Sequence, residues 1–210
     1  MNESWFNQVA QSALSYKETL RATYSLTLDV MDRGIPGDFV ECGVFAGAQC
    51  AMMAAAILGY PGGFPTRRIH LFDTFTGIPA GGVHDLEWIH PPGTSMCSVE
   101  GVQQHMRDWG ISESLLVYHK GLFSDTLGGL KTWPKAWKEV ADNPSQIALL
   151  RLDGDLYQST KDALQLLPLV SPGGWVIVDD FGLSGARKAV LESSLAGGPA
   201  YFKVPEGGLK

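Results

Sequence analysis

Four aspartates close two apolar runs in the second half of the chain. Asp153 and Asp155 end the first run, and Asp179 and Asp180 end the second. An extended backbone would put the side chains of Asp153 and Asp155 on the same side of the chain. If the two runs are neighbouring parallel strands, the four carboxylates meet at one edge of a sheet, where they repel each other unless a cation or protons relieve the charge. The pattern therefore predicts a divalent metal site.

Only oxygen ligands are available in this acidic cluster, and such a set favours a hard ion. Magnesium (Mg²⁺) is the predicted metal, with Mn²⁺ or Ca²⁺ as substitutes. The three cysteines of the chain, Cys42, Cys50 and Cys97, show no CxxC spacing, so no zinc site is indicated. Alternatively, Asp155 and Asp180 cap the N-termini of the helices that follow them, and a single acid of the cluster has chemistry.

A glycine turn lies earlier in the chain, between an apolar run and a helical stretch. Glu41 precedes Gly43, Phe45 lies within the turn, and Gly47 ends it. Glycines at such a turn let the backbone approach a ligand, and the helix that follows offers free N–H groups. The spacing is GxxxG and not the GxGxxG of dinucleotide sites, and the acid before it suits a cationic amine. Alternatively, the glycines only permit close packing of the helix on the strand.

A further acid, Asp73, ends the next apolar run. In a sheet of this type that run lies beside the one that leads into the glycine turn, so Asp73 is placed to hold ribose hydroxyls. S-adenosylmethionine carries both a ribose and an ammonium group, and Asp73 and Glu41 together favour it as the cofactor. Ser124, after the third run, is placed to approach its adenine end. The alternatives are that Asp73 caps a turn and that Ser124 lies there by chance.

The apolar runs that carry these residues alternate with helical stretches. Runs that are apolar throughout predict parallel strands buried on both faces, and their alternation with helices predicts a doubly wound α/β domain. Strands connected through a helix in this way lie side by side in most folds. The predicted strands cover residues 38–43, 68–73, 115–119, 147–153, 174–179 and 200–204, and the predicted helices between them include residues 46–60 and 159–170.

Two further segments complete the predicted architecture. Residues 1–35 begin with the apolar spacing of an amphipathic helix and are predicted to form N-terminal helices. Residues 76–98 are rich in proline and glycine without a sustained period, and a loop of this length is predicted to be a lid. His84 and His90 flank Trp88 in this lid. Either histidine could serve as an alternative base, although loop histidines are more often solvated, and the tryptophan could stack on a sugar.

The composition is that of one globular domain. The chain has 210 residues, of which 45% are hydrophobic, and a net charge of −6. Residues 1–210 can therefore bury one core, and no basic stripe is present for nucleic acid. The most apolar run, residues 50–60, is too short for a membrane, which needs about 20 apolar residues. The cysteine pattern and the absence of a signal-peptide pattern favour a reduced, cytoplasmic location.

The chain contains five sequence blocks in a fixed order over residues 36–191: VECGVFAG, HLFDTFTGIP, KGLFSDTL, IALLRLDGDLYQST and SPGGWVIVDDF. Together these blocks resemble the macrocin O-methyltransferase family, which methylates sugar hydroxyls on antibiotics with S-adenosylmethionine and magnesium. The resemblance implies a Rossmann-like class I methyltransferase fold. It also implies metal binding by Asp153, Asp179 and Asp180, with Asp153 at the cofactor as well and Asp155 as the general base.

The resemblance further implies a small-molecule acceptor with a sugar hydroxyl. Such a hydroxyl is a poor nucleophile near neutral pH, and a bound Mg²⁺ would lower its pKa and fix its position. A vicinal diol could chelate the metal through both oxygens, while Asp155 accepts the proton. Transfer would be an in-line displacement that depends on the alignment of oxygen, methyl carbon and sulfur. Assembly into a homo-oligomer is left open.

Three other functions remain as alternatives. Catechol O-methyltransferases look similar in the glycine turn and the acid pair, but they place a lysine base where this chain has Leu156. Glycosyltransferases with a DxD motif match Asp153 and Asp155 but leave the turn at residues 41–47 without a role. A binding module that has lost its chemistry is disfavoured by the presence of Asp155. The segment 128–146 is longer than the family pattern leads us to expect.

Overall fold

A single β-sheet carries the residues of interest. The computed structural model describes residues 1–61, 67–87, 90–127, 147–195 and 201–205. The strands are β1 Asp38–Cys42, β2 Ile69–Asp73, β3 Leu116–Lys120, β4 Ile147–Leu152, β5 Val170–Val178 and β6 Tyr201–Lys203. They form a six-stranded sheet in the order β3-β2-β1-β4-β5-β6. Neighbours from β3 to β5 pair in parallel, and β6 pairs with β5 in the antiparallel sense.

Helices connect the strands and cover both faces of the sheet. Their bounds are α1 Glu3–Ala10, α2 Lys17–Asp32, α3 Ala48–Leu58, α4 Val99–Asp108, α5 Phe123–Leu127, α6 Tyr157–Ala163 and α7 Ser184–Leu191. Two 3₁₀ helices, Glu113–Leu115 and Leu164–Leu169, complete the described helical structure. The second contains Pro168, which lacks the N–H that a continuing α-helix would need.

The two faces of the sheet bury separate apolar clusters because side chains alternate along each strand. Phe39 and Leu149 face the cluster that packs under α1 to α4, whereas Val40 and Leu150 face the cluster under α6 and α7. Every residue of β1 and β4 is buried, as expected for central strands covered on both sides. These central strands end at the glycine turn and at the acidic cluster.

The predicted doubly wound α/β class is confirmed, as is the adjacency of β1 with β2 and of β4 with β5. The element bounds differ in places. Strand β4 ends at Leu152, and Asp155 has a φ of 57°, so an extended backbone is not what orients its side chain. The predicted helix at 159–170 is instead the short α6 followed by a 3₁₀ helix.

Some predictions fall on residues that the structure does not describe. Trp88 of the lid and the long segment 128–146 lie outside the described residues. Among the residues that are described, no helix combines the length and the apolar character needed to cross a membrane.

Candidate active site

A cavity of about 430 Å³ opens at the carboxyl ends of the central strands. Its size lies in the range of small-molecule sites, and its position is where ligands bind in open α/β sheets. The ends of β1, β2, β4 and β5 each contribute an acid to its wall, and the glycine turn, the first turn of α3, the lid and the segment between α1 and α2 are among its other contributors. The acids are Glu41, Asp73, Asp153, Asp155, Asp179 and Asp180.

Three of the four predicted cluster acids meet at one point of this cavity. Asp153, Asp155 and Asp180 each offer a carboxylate oxygen, and these oxygens lie within 4.8 Å of one another. The backbone N–H of Asp155 donates to Oδ2 of Asp180 at 2.8 Å. Burial raises the pKa of Asp155 to about 7 and that of Asp180 to about 9, and the neighbouring Asp153 adds to both shifts. Without a bound metal ion, these raised pKa values favour protonation of Asp155 and Asp180.

The fourth acid, Asp179, is paired with Arg151, a residue that the sequence interpretation missed. The Arg151 side chain is 0% exposed. Its Nη2 lies 2.9 Å from Oδ2 of Asp179, and its Nη1 lies 2.6 Å from Oδ2 of Asp153 and 2.9 Å from Oε1 of Glu41. Burial raises the pKa of Asp179, and Arg151 opposes that shift. Arg151 thus stabilises the charged forms of the acids beside it.

A signal for Arg151 was present in the sequence. It is the sole charged residue within the apolar run 147–152, which reads as a strand buried on both faces. A charge in such a strand must be paired, because an isolated buried charge is too costly. The acids at the ends of the neighbouring strands are the natural partners.

Glu41 is engaged within the protein. It is 1% exposed, and its Oε2 accepts a hydrogen bond from Sγ of Cys50 at 2.6 Å, while Oε1 pairs with Arg151. Burial raises the pKa of Glu41 to about 7, and Arg151 opposes the shift. The cation that faces Glu41 in the structure is therefore a guanidinium of the chain, and the predicted contact with a ligand amine stays a prediction.

The glycines of the turn serve close packing. Gly43 has a φ of 94°, and a Cβ there would lie 1.6 Å from the backbone oxygen of Asp153. Gly47 has a φ of 88°, and a Cβ there would lie 2.6 Å from Cε of Met106 on α4. Phe45 lines the cavity with a φ of 47°, which is uncommon for a residue with a side chain. The alternative role of the glycines, close packing, is thus present, and Gly43 lines the cavity as well.

Asp73 holds the glycine turn in place while it lines the cavity. Its Oδ2 accepts hydrogen bonds from the N–H groups of Val44 at 2.7 Å and Phe45 at 3.2 Å. Its Oδ1 accepts one from the N–H of Phe75 at 2.7 Å. The turn-capping alternative therefore describes its contacts, and ribose binding by Asp73 stays a prediction.

Ser124 lies outside the wall of the cavity. Its side chain is exposed, and its hydroxyl donates to Oδ1 of Asp125 at 3.3 Å. Leu122 and Phe123, which precede it, line the cavity instead. The end of β3 therefore reaches the site through apolar side chains.

The lid is fastened to the helices that follow the acidic strands. Oδ1 of Asp85 accepts a hydrogen bond from the N–H of Tyr157, the first residue of α6, at 2.7 Å. Glu87 accepts hydrogen bonds from the N–H and hydroxyl of Ser184, the first residue of α7. The His84 ring packs edge-on against Tyr157 with centroids 4.4 Å apart, whereas His90 lines the cavity. Of the two lid histidines, His90 is the one placed to meet a substrate.

A mostly parallel sheet in this strand order, with an acid-lined cavity at its carboxyl ends, defines the Rossmann-like α/β fold of class I methyltransferases. The chain belongs to the macrocin O-methyltransferase family, because the family model described as Macrocin-O-methyltransferase (TylF) matches residues 9–194.

Named relatives agree with this assignment. The chain is 32% identical over 189 residues to the 8-demethyl-8-(2,3-dimethoxy-alpha-L-rhamnosyl)-tetracenomycin-C 4'-O-methyltransferase of Streptomyces olivaceus, covering 87% of this chain and 67% of the relative. It is 34% identical over 160 residues to the demethyldecarbamoylnovobiocin O-methyltransferase of Streptomyces niveus, covering 73% and 56%. The mycinamicin III 3''-O-methyltransferase of Micromonospora griseorubida is 30% identical over 172 residues, covering 76% and 61%. The chain thus spans 56% to 67% of the length of these relatives.

Solved structures support the same fold. The O-methyltransferase NovP superposes with a TM-score of 0.72 at 30% identity, covering 86% of this chain and 72% of that chain. An O-methyltransferase from Bacillus cereus in complex with S-adenosylhomocysteine (SAH) gives a TM-score of 0.51 at 14% identity, covering 85% and 67%, and supports the fold alone.

Proposed function

We propose that this protein transfers a methyl group from S-adenosylmethionine to a hydroxyl of a sugar on a natural product. The observation that carries the proposal is the contact of the glycine turn with the acidic cluster. A Cβ on Gly43 would lie 1.6 Å from the backbone oxygen of Asp153, so turn and cluster share one wall of the cavity. A cofactor bound over the turn would have its reactive methyl group beside the acids.

The choice of a sugar rests on the relatives. One is named for methylation of a rhamnosyl-tetracenomycin, and another for methylation of mycinamicin III. The catechol alternative is disfavoured because Leu156, at the position of the lysine base, is 3% exposed and offers no polar group.

The acidic cluster fits Mg²⁺ by its donor chemistry. Three carboxylate oxygens lie within 4.8 Å of one another, they belong to partly buried acids, and hard oxygen ligands are those that Mg²⁺ prefers. Asp153 and Asp180 belong both to this group and to the ligand set implied by family resemblance, so we propose both as ligands. Asp179 is the third proposed ligand, held in place by Arg151. A bound Mg²⁺ would supply Lewis acidity that lowers the pKa of the acceptor hydroxyl.

Asp155 is the proposed general base. Its carboxylate lines the cavity beside Asp153 and Asp180, within reach of a hydroxyl positioned by the cluster. Bound S-adenosylmethionine would supply the methyl group: its carbon–sulfur bond would break as the bond to the acceptor oxygen forms, with S-adenosylhomocysteine as the leaving product. The hydroxyl proton passes to the Asp155 carboxylate. His90 is the alternative base, because it also lines the cavity.

Binding experiments separate this proposal from a glycosyltransferase. Calorimetry of the full chain with S-adenosylhomocysteine and with UDP-sugars, each with and without Mg²⁺, should give binding of S-adenosylhomocysteine only. Tight binding of a UDP-sugar and none of S-adenosylhomocysteine would end the methyltransferase proposal. Methyl transfer measured on a panel of glycosides and catechols then identifies the acceptor, and we expect turnover with a glycoside that carries a vicinal diol.

A further inference from the structure

Gln49 is a buried side chain whose polar atoms have no partner. It is 4% exposed and lines the cavity from the first turn of α3. Among the described residues, neither its Nε2 nor its Oε1 has a hydrogen-bond partner. Buried amides are almost always hydrogen-bonded, and leaving one unpaired is costly. An amide that faces a cavity with both ends unpaired indicates that a ligand supplies the partners.

The backbone around Gln49 favours an anion. The first intrahelical bond of α3 runs from the N–H of Ala51 to the oxygen of Gly47. The amides of the first turn before Ala51 therefore have no intrahelical acceptor, and the N-cap residue, Gly47, has no side chain to cap them. Free N–H groups at a helix N-terminus, with the positive end of the helix dipole, attract a negatively charged group. A carboxylate would find two kinds of donor here, the helix amides and Nε2 of Gln49.

The carboxylate expected to meet the ammonium group is already engaged within the protein. Glu41 was the expected partner of an amine, but its two oxygens already pair with Arg151 and Cys50. Oε1 of Gln49 is an acceptor without a donor. It can take a hydrogen bond from an ammonium group while Nε2 of the same amide donates to the neighbouring carboxylate.

We propose that Gln49 binds the α-amino acid end of S-adenosylmethionine, with Nε2 donating to the carboxylate and Oε1 accepting from the ammonium group. This inference rests on the proposed function. An adenine edge also presents one donor and one acceptor to an amide, but adenine is neutral and would leave the helix N-terminus unused.

The test compares two ligands that differ in the amino acid end. S-adenosylhomocysteine carries it, and 5′-methylthioadenosine lacks it while keeping the adenine, the ribose and the sulfur. We expect Gln49→Leu to weaken S-adenosylhomocysteine binding by about 10-fold to 100-fold, the usual effect of losing hydrogen bonds to charged groups, and to leave 5′-methylthioadenosine binding within about twofold. The matched control is Gln104→Leu, which changes an exposed glutamine on α4.

Each other outcome has a distinct meaning. Equal weakening of both ligands would assign Gln49 to the adenine and overturn the proposal, and so would unchanged binding of both. If wild-type protein binds neither ligand, the proposed function itself fails. The unliganded Gln49→Leu protein should unfold at the wild-type temperature or above it, because an unpaired buried amide has been removed. If Gln49→Leu does not fold, Gln49→Met provides the same comparison with an unbranched side chain.

Discussion

At the scale of single residues, Arg151 determines how the acids share their charge. It contacts Glu41, Asp153 and Asp179, so one guanidinium serves three carboxylates. Asp155 has no such partner within the described residues, and its pKa is raised to about 7 by burial and by the neighbouring acids. The acids of the site therefore differ in whether a guanidinium contacts them and offsets their negative charge. Asp153 and Asp179, two of the three proposed metal ligands, contact Arg151, whereas the proposed base Asp155 does not.

The base assignment gives the first prediction. Asp155→Asn keeps the shape of the side chain but cannot accept the proton, so we expect turnover to fall by about 10² to 10⁴-fold. Cofactor affinity should stay near the wild-type value, which calorimetry with S-adenosylhomocysteine measures. Asp32→Asn, a change at an exposed acid, is the control. Unchanged turnover would remove Asp155 as the base, and His90→Gln would be examined in its place.

The assignment of Asp179 as a metal ligand gives the second prediction. Asp179→Asn removes a proposed metal ligand that Arg151 now holds, and we expect the Mg²⁺ concentration for half-maximal activity to rise at least about tenfold, or about 1.4 kcal/mol. Manganese titration followed by paramagnetic resonance gives the metal affinity without activity. A normal metal requirement in Asp179→Asn, with a raised one in Asp155→Asn, would instead favour the group Asp153, Asp155 and Asp180 as the ligands.

At the scale of elements, the sequence predicted the order and type of the strands well. Continuous apolar runs identified β1 to β5, and their alternation with helices identified the parallel sheet. What local pattern could not predict depends on packing between elements. The left-handed conformation of Asp155 follows the end of β4, and the partner of Glu41 lies on another strand, 110 residues away. The position of Gln49 in the cavity wall could not be predicted from the sequence, because the wall is formed by elements from distant parts of the chain.

The contact of β1 with β4 gives a third prediction. Gly43→Ala would drive a Cβ to within 1.6 Å of the backbone oxygen of Asp153, so the two strand ends must separate. We expect a loss of stability of about 3 kcal/mol or more in urea unfolding. Gly110→Ala is the matched control, because Gly110 also has a positive φ, 72°, but nothing lies within 4 Å. Gly110→Ala should lower the unfolding free energy only by the backbone strain, about 1–2 kcal/mol. Equal losses in both variants would contradict this account.

Three neighbouring strands also share a hydrogen-bonded chain of titratable side chains. Nε2 of His119 on β3 lies 3.0 Å from Nδ1 of His70 on β2, and Nε2 of His70 lies 3.2 Å from Oδ2 of Asp38 on β1. Burial lowers the pKa of His119 from 6.5 to about 4, and the neighbouring His70 contributes. As the pH falls, His119 therefore takes up a proton in the unfolded chain at a higher pH than in the folded protein. Stability linked to His119 is intact above pH 6.5 and is lost as the pH falls towards 4.

This linkage gives a fourth prediction. His119→Gln removes the titrating group, so the drop in unfolding free energy between pH 7 and pH 4 should be smaller than in wild type by up to about 3 kcal/mol. Urea unfolding of both proteins across that pH range measures the difference. The contributions of the acids that both proteins share cancel in this comparison. Identical pH profiles would show that His119 does not titrate in this range.

At the scale of the whole molecule, the described residues share one sheet, and we propose that the chain is a single domain. Composition and length predicted this from the sequence, since 210 residues with 45% hydrophobic content can bury one core. The shape of the cavity could not be predicted, because the lid and the segment between α1 and α2 close it from distant parts of the chain.

A fifth prediction follows from the single domain. Thermal unfolding should show one cooperative transition, and S-adenosylhomocysteine should shift it as a unit. At a ligand concentration 100 times the Kd, the expected stabilisation is about 2.7 kcal/mol. Calorimetric scans with and without ligand measure this shift. Two transitions, of which only one responds to the ligand, would contradict a single domain.

The fastening of the lid has a consequence for how the acceptor range of such a protein can change over evolution. Asp85 and Glu87 attach the lid at the first residues of α6 and α7, while the rest of its contribution to the cavity wall comes from residues such as His90 and Ser95. Mutations in the lid on either side of these two attachment points can reshape the cavity wall without moving the acids of the cluster. We therefore expect single substitutions in the lid to change which acceptors fit while the proposed catalytic acids keep their positions.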